Sequence, residues 1–256
     1  MDFSIKKPAH IFSLLGLMIA LIVTTIIPIL SFFGVFSSIQ TVPSEAIPQQ
    51  MHFLFEIIAL IIQIFFLVIL IFIGVPWVWY TLVNKLSSNQ ILEKIKLKFD
   101  NINEAILWAI IVVIVGFGIF FVAGILLTAF GVDATEASNI PDIEVIFSLP
   151  SILILLIIQP IGEEIFFRGF LLDKINSLAG RETAILTTGL LFGIAHLSYA
   201  KIYPAIMTCV LGVLFGYVVI KTKNLNTSII AHILFNLTSI TFYFIGQFMD
   251  IEALIL

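Results

Sequence analysis

Long apolar stretches without a charged residue alternate along the chain with short polar stretches. The uncharged stretches are Ile11–Phe36, Ile57–Asn84, Ala105–Val132, Val145–Gly162, Thr183–Ala200, Ile202–Ile220 and Asn224–Met249. A helix needs roughly 20 residues, usually 17–25, to cross the ~30 Å hydrocarbon core of a bilayer. The pattern therefore predicts an all-α, polytopic membrane helix bundle with about seven, at most eight, transmembrane helices.

The amino-acid composition also indicates a membrane environment. The chain is 61% hydrophobic and 11% charged, whereas a soluble domain carries about 25% charged residues. The first apolar stretch is longer than a signal-peptide core, and no small-residue cleavage site follows it, so we expect it to remain as an anchor. The single cysteine, Cys209, excludes an intramolecular disulfide. No repeat or compositional break is visible, so the sequence predicts a single integral membrane domain over residues 1–256.

Charged residues are sorted between alternate loops. Ten of the twelve basic residues fall on one side if the segments alternate: Lys6, Lys7, Lys85, Lys94, Lys96, Lys98, Lys174, Arg181, Lys221 and Lys223. The other side carries Lys201 and these acidic residues: Glu45, Glu56, Asp133, Glu136, Asp142, Glu144, Asp250 and Glu252. Because basic loops stay in the cytoplasm, the sorting predicts a cytoplasmic N-terminus and an external C-terminus.

The stretch Gln90–Glu104 combines lysines with apolar residues at near-helical spacing. The apolar positions are Ile91, Leu92, Ile95, Phe99 and Ile102. Such a pattern is typical of an amphipathic helix that lies in the membrane interface. We therefore expect one interfacial helix here, connecting the second and third segments.

Three ionisable side chains, Glu163, Glu164 and Arg168, directly follow the uncharged stretch Val145–Gly162. An ionisable group at bilayer depth costs at least a few kcal/mol, so it needs a partner, a water-filled cavity or a catalytic role. Residues four apart share a helix face. We therefore expect Arg168 to pair with Glu164, which leaves Glu163 free to point elsewhere.

Further polar residues occur inside the fifth and seventh segments. His196 follows Phe192 by four residues, and Asn236 follows His232 by four, so each pair shares a helix face. At ~1.5 Å per helical residue, Glu163, His196 and His232 lie roughly 16, 22 and 13 Å from the nearest inner basic residues of their segments. Segments four, five and seven can thus bring these groups together near mid-membrane.

These residue types suit amide hydrolysis if they meet. A carboxylate in a low-dielectric pocket is a competent general base near neutral pH, so Glu163 with His196 can deprotonate a water. His232 and the amide of Asn236 are donors suited to a tetrahedral oxyanion. The alternative is that the same residues only form interhelical polar contacts, which membrane bundles use routinely.

Three motifs in order resemble a known family. Glu163-Glu164-x-x-x-Arg168, Phe192-x-x-x-His196 and His232-x-x-x-Asn236 are similar to the motifs of the CAAX prenyl endopeptidase and bacteriocin-processing family, abbreviated CPBP or ABI. The resemblance covers residues 148–237, which would form the catalytic core. The first three segments carry no signature. Three motifs on three separate membrane segments make the resemblance specific.

The resemblance implies an all-helical, glutamate-dependent intramembrane protease. Glu163 and His196 would activate the water, and His232 and Asn236 would stabilise the oxyanion. The supporting residues would be Glu164, Arg168 and Phe192. It also implies a bacterial or archaeal plasma membrane, and a peptide or lipidated protein as substrate, entering from the membrane or from the cytoplasmic side.

No cofactor, metal or nucleic acid is expected. The chain lacks H-E-x-x-H, and the residue one turn from His232 is the amide Asn236, a poor zinc ligand. Two other functions remain open. One is a non-catalytic bacteriocin self-immunity or membrane scaffold protein that uses the same polar cluster. The other is a proton-coupled transporter with Glu163, His196 and His232 as a relay, against which no internal repeat is visible. The oligomeric state is left open.

Overall fold

The computed structural model describes residues 3–36, 48–131, 140–199 and 201–249. These residues contain helices and connecting turns and no strand. The helices are α1 (Pro8–Phe32), α2 (Met51–Leu82), α3 (Ser88–Lys94), α4 (Ile102–Ala129), α5 (Ile140–Glu144), α6 (Leu149–Ala179), α7 (Arg181–Ala195), α8 (Ile202–Thr222) and α9 (Leu225–Phe248). The predicted all-α, polytopic membrane bundle is confirmed.

Among the described residues, six helices are long and apolar enough to cross a membrane: α1, α2, α4, α6, α8 and α9. The fifth predicted segment, Thr183–Ala200, corresponds to α7, whose 15 residues span only ~22 Å at the helical rise. A short 3₁₀ turn, His196–Tyr199, follows it. Because α7 stops at Ala195, His196 lies at a helix end and not within a longer helix.

The two sets of charged loops lie at opposite ends of the bundle. At one end, Lys94 pairs with Asp173 at 3.0 Å, and Lys174 donates to Asn84. We call this the lysine end: Asn84, Lys94, Lys98, Asp173, Lys174 and Lys223. At the other end, Lys201 pairs with Asp142 at 2.7 Å. We call this the acidic end: Glu56, Asp142, Glu144, Ser148 and Lys201. The chain therefore passes from the lysine end to the acidic end between α6 and α8, along α7 and the turn that follows it. Five of the acidic residues noted above, Glu45, Asp133, Glu136, Asp250 and Glu252, lie outside the described residues.

The prediction of one interfacial helix over Gln90–Glu104 is wrong. Helix α3 ends at Lys94 after a capping box formed by Ser87 and Gln90. Lys96 and Asn101 then adopt positive φ angles of 63° and 57°, a region that right-handed helices do not use. The regular spacing of apolar residues over this stretch therefore belongs to a short helix, a turn and the start of α4.

Wide i→i+5 turns interrupt three of the long helices. They cover Ile22–Ile26, Ile62–Gly74 and Ile165–Leu171. Pro28 and Pro76 follow the first two, and a proline removes a helical hydrogen bond and crowds the preceding turn. The third stretch holds Arg168 and begins immediately after Glu164. It sets the angle at which this part of α6 meets its neighbours.

The core lies between α2, α6, α7, α8 and α9, and its largest fully buried side chains include several aromatic rings. The rings with less than 2% exposure are Tyr80, Phe166, Phe167, Phe170, Phe192 and Phe215. The outward faces are also apolar: Leu107, Ile114 and Phe121 of α4 are 57–70% exposed. Lipid tails are as apolar as leucine, so such a surface is stable in a bilayer. The protein is an integral membrane protein whose polar residues must therefore be accounted for inside the bundle.

Candidate active site

A buried ion pair forms the foundation of the candidate site. Glu164 and Arg168 share a face of α6, and their side chains are fully buried. Arg168 Nη1 donates to Glu164 Oε1 at 2.9 Å, and its Nη2 donates to the Gly212 carbonyl at 3.2 Å. The guanidinium also lies 4.2 Å from the centroid of the Phe192 ring, a cation–π distance. The expected pairing of Glu164 with Arg168 is present.

Close packing of α7 against α8 makes this arrangement possible. A Cβ added at Gly212 would lie 2.8 Å from the backbone of Gly189 and 3.1 Å from Arg168 Nη2. Real Cβ atoms do not approach other atoms so closely. Glycine at position 212 therefore lets the guanidinium reach the backbone of α8.

His232 connects the two adjacent carboxylates. Its Nδ1 lies 3.1 Å from Glu164 Oε1, and its Nε2 lies 3.8 Å from Glu163 Oε2. Because a carboxylate only accepts hydrogen bonds, the contact with Glu164 assigns a proton to Nδ1. In the neutral ring, Nε2 is then an acceptor close to Glu163. A water 2.8 Å from both Nε2 and Oε2 fits beside the line that joins them.

His196 is held by its own helix end. Its Nδ1 lies 2.8 Å from the Phe192 carbonyl, so this nitrogen carries a proton and Nε2 of the neutral ring is an acceptor. The Phe192 ring meets both histidine rings edge to face, at centroid distances of 4.8 Å from His196 and 5.6 Å from His232. Phe192 therefore packs between the two histidines.

Glu163, His196, His232 and Asn236 all line one cavity of about 390 Å³. This volume lies within the range of small-ligand pockets. Glu163 and His232 are only 4% and 6% exposed, while His196 and Asn236 are half-buried. The four residues that the sequence nominated for catalysis are thus brought together, although they come from α6, the end of α7, and α9. Their chemical roles stay predictions.

Two glutamines that the sequence analysis did not nominate also reach this site. Gln159 Nε2 donates to Glu163 Oε1 at 2.8 Å, and Gln63 Nε2 donates to Gln159 Oε1 at 2.9 Å. This relay occupies Oε1 of Glu163 and leaves Oε2 towards His232. Gln159 precedes Glu163 by one turn, and Gln63 stands alone in an apolar stretch. These two features are the signals in the sequence that could have identified them.

A metal centre finds no support in side-chain grouping. Within residues 3–36, 48–131, 140–199 and 201–249, no three His, Cys, Asp or Glu side chains form a group suited to holding a metal ion. The contacts of the two histidines on Nδ1 go to a carbonyl and a carboxylate. Both contacts orient the rings within the site.

A protein-family model matches part of the chain. Residues 145–238 are similar to the family described as type II CAAX prenyl endopeptidase, Rce1-like. The match includes all seven motif residues and closely follows the range 148–237 over which the sequence resembles the family. The resemblance to this family is thereby confirmed. Comparison with curated proteins and with solved structures gives no match. At the level of the family, the similarity indicates a membrane endopeptidase of the CAAX type.

Proposed function

We propose that the protein is a metal-independent intramembrane endopeptidase that uses Glu163 to activate a water against a peptide bond. The observation that carries this proposal is the meeting of Glu163, His196, His232 and Asn236 in one cavity. The similarity to the CAAX endopeptidase family supports the reaction class. The substrate is a peptide or a lipidated protein, and the N-terminus of the enzyme lies in the cytoplasm of a bacterium or archaeon.

In the first step, a water held between Glu163 Oε2 and His232 Nε2 attacks the carbonyl carbon of the substrate. The water gives one proton to Glu163, which acts as a general base. Its oxygen bonds to the carbonyl carbon, and the electron pair of the C=O bond moves to the carbonyl oxygen. The Asn236 side-chain N–H groups stabilise this oxyanion. Collapse breaks the C–N bond, and the leaving amine takes the proton from Glu163.

The two histidines have related roles in this scheme. Each has Nδ1 committed to an acceptor, so each neutral ring offers Nε2 as an acceptor. One hydrogen of the water points to Glu163 Oε2 and the other to Nε2 of His232, which aims a lone pair of the water at the substrate. Nε2 of His196 is a second acceptor for that other hydrogen. His232 donates to the oxyanion only after its Nε2 has taken up a proton, since a neutral ring has one N–H.

Burial gives Glu163 and its neighbours the fixed positions that such a reaction needs. The ion pair of Glu164 and Arg168 is fully buried, and it anchors His232 through Glu164. Groups that are already oriented in a water-poor site require no reorganisation when charge develops. The supporting residues thus act on the chemistry by holding the ring of His232.

The test is a glutamate-to-glutamine exchange at the proposed base. Glu163→Gln keeps the volume but cannot accept a proton, so cleavage of a quenched-fluorescent peptide pool in proteoliposomes should fall about 10²–10⁴-fold. Glu182→Gln is the matched control, because the Glu182 side chain is 81% exposed and outside the cavity. EDTA should leave the wild-type rate unchanged.

Two results would contradict the proposal. Full bacteriocin-immunity function in Glu163→Gln, at equal membrane levels, would support a non-catalytic immunity or scaffold protein. Proton flux across the proteoliposome membrane that depends on Glu163, without any peptide cleavage, would support a transporter.

A further inference from the structure

Among the residues that the structure describes, those that line the cavity lead from the four nominated residues towards one end of the bundle. On α6 its lining residues all lie on the N-terminal side of Glu164, on α8 they lie in the N-terminal half, and on α9 they start at His232 and continue towards the C-terminus. These residues are Ile152, Leu155, Leu156, Gln159, Pro160, Glu163, Pro204, Thr208, Leu211, His232, Phe235, Asn236, Ser239 and Ile240. Each of these directions leads to the acidic end.

Helix α5 and the turn after it complete the outer part of the cavity. Ile140, Asp142, Ile143, Ile146 and Phe147 are among the lining residues. Ile146 is 55% exposed, so the cavity wall continues to the surface at this point. The ion pair of Asp142 with Lys201 lies at the same rim.

Towards the lysine end the same three helices are closed. On α6 every residue from Phe166 to Leu172 is buried, and on α9 every residue from Leu225 to Ile229 is at most 8% exposed. Phe215 of α8 is fully buried between them. A separate cavity at the lysine end, of about 170 Å³, is lined by residues such as Lys98 and Lys223 and includes none of the four nominated residues.

We propose that the site receives its substrate from the acidic end, which under the positive-inside rule is the extracytoplasmic face. The inference rests on the proposed function and names its substrate class: an extended polypeptide segment with apolar side chains that is exported or exposed outside the cytoplasm. Apolar walls from α5 and α6 take the side chains, and the polar groups at the inner end meet the peptide bond. A cytoplasmic lipidated protein would face the closed end.

The direction of access can be measured without any enzymatic assay. In a Cys209→Ala background, Ser239→Cys places a small thiol in the cavity wall. Two further variants mark the ends: Val145→Cys beside α5, where the native residue is 75% exposed, and Asn101→Cys at the lysine end. A charged, membrane-impermeant maleimide is applied to right-side-out and to inverted membrane vesicles.

We expect Ser239→Cys to be labelled in the vesicle orientation in which Val145→Cys is labelled. Ser239→Cys should not be labelled in the orientation in which Asn101→Cys is labelled. Thr208→Cys on the opposite wall repeats the measurement if Ser239→Cys does not fold. Labelling from the Asn101 side overturns the inference, and so does a failure to label in both vesicle orientations.

The substrate class is tested with an apolar quenched-fluorescent peptide added to the same vesicles. Cleavage that requires Glu163 should occur in right-side-out vesicles and be lost in sealed inverted ones. Cleavage only in inverted vesicles overturns the inference but supports the proposed protease function. If no Glu163-dependent cleavage occurs in either orientation or in detergent, the protease function fails and with it the substrate class, while the thiol labelling still decides the access direction.

Discussion

Removing the buried guanidinium should destabilise the protein more than removing any exposed cation. The substitution Arg168→Met keeps an unbranched apolar stem and deletes the charge. It leaves Glu164 buried, with His232 at 3.1 Å and Ser228 as its remaining polar partners. It also removes the hydrogen bond that Arg168 donates to the Gly212 carbonyl, which keeps its donor within α8. An uncompensated buried charge is the costliest consequence of such a change.

The size of the effect follows from these contacts. Breaking a buried pair by removing one partner costs about 3–5 kcal/mol, and the lost hydrogen bond from the charged guanidinium to the Gly212 carbonyl adds about 1.5–3 kcal/mol. Contributions that share one network are not additive, so we expect a loss of roughly 3–6 kcal/mol in the free energy of unfolding. Replacing both partners, in Arg168→Met with Glu164→Gln, should recover part of this loss because no net charge is then left unpaired.

The assay is equilibrium unfolding of the purified protein in mixed micelles, followed by tryptophan fluorescence. The matched control is Lys94→Met, which breaks the ion pair with Asp173 at the lysine end. The Lys94 side chain is 45% exposed, and exposed pairs contribute about 0.2–1 kcal/mol. If Arg168→Met costs no more than Lys94→Met, or if the double variant is less stable than the single one, the reasoning about the buried pair is refuted.

Three further predictions follow from the packing and hydrogen bonds of the site. Gln159→Met should lower kcat roughly 10–100-fold with little change in KM, because a hydrogen bond to a charged group contributes about 1.5–3 kcal/mol; an equal rise in KM with unchanged kcat would contradict a role in positioning Glu163. Gly162→Ala should destabilise the protein by about 1–3 kcal/mol in the unfolding assay, because its Cβ would lie 2.7 Å from a side chain of α2. The control Gly118→Ala, with open space around the new Cβ, should not lower stability, and equal losses at the two positions would refute the packing argument. Asn236→Ala should reduce peptide cleavage about 10²–10³-fold, the usual cost of losing one oxyanion donor, and a rate within twofold of wild type would remove it from the mechanism.

Periodic features of the molecule were readable from the sequence. Hydrophobic length predicted a helical membrane bundle, and four-residue spacing predicted the pairing of Glu164 with Arg168 on one turn of α6. Both depend only on neighbours along a single helix, whose geometry is fixed at 3.6 residues per turn. The sorting of lysines likewise indicated which loops share an end.

Features that depend on two or more helices required the tertiary structure. The contact of His232 with Glu164 joins α9 to α6, and the contact of Gln63 with Gln159 joins α2 to α6. No spacing rule along the chain connects these residues. The predicted interfacial helix was wrong for a related reason, because backbone turns at Lys96 and Asn101 overrode a regular apolar pattern.

The sequence by itself thus determined the membrane environment, the helical architecture and the chemical groups of the candidate site. The tertiary structure decided how those groups face one another and which end of the bundle their cavity reaches. The physical reason is that periodicity specifies one face of one helix, whereas a cavity is the space left between several. Its shape depends on close approaches such as that of Gly212 to Gly189, and on the burial of Phe215 on the side that is closed.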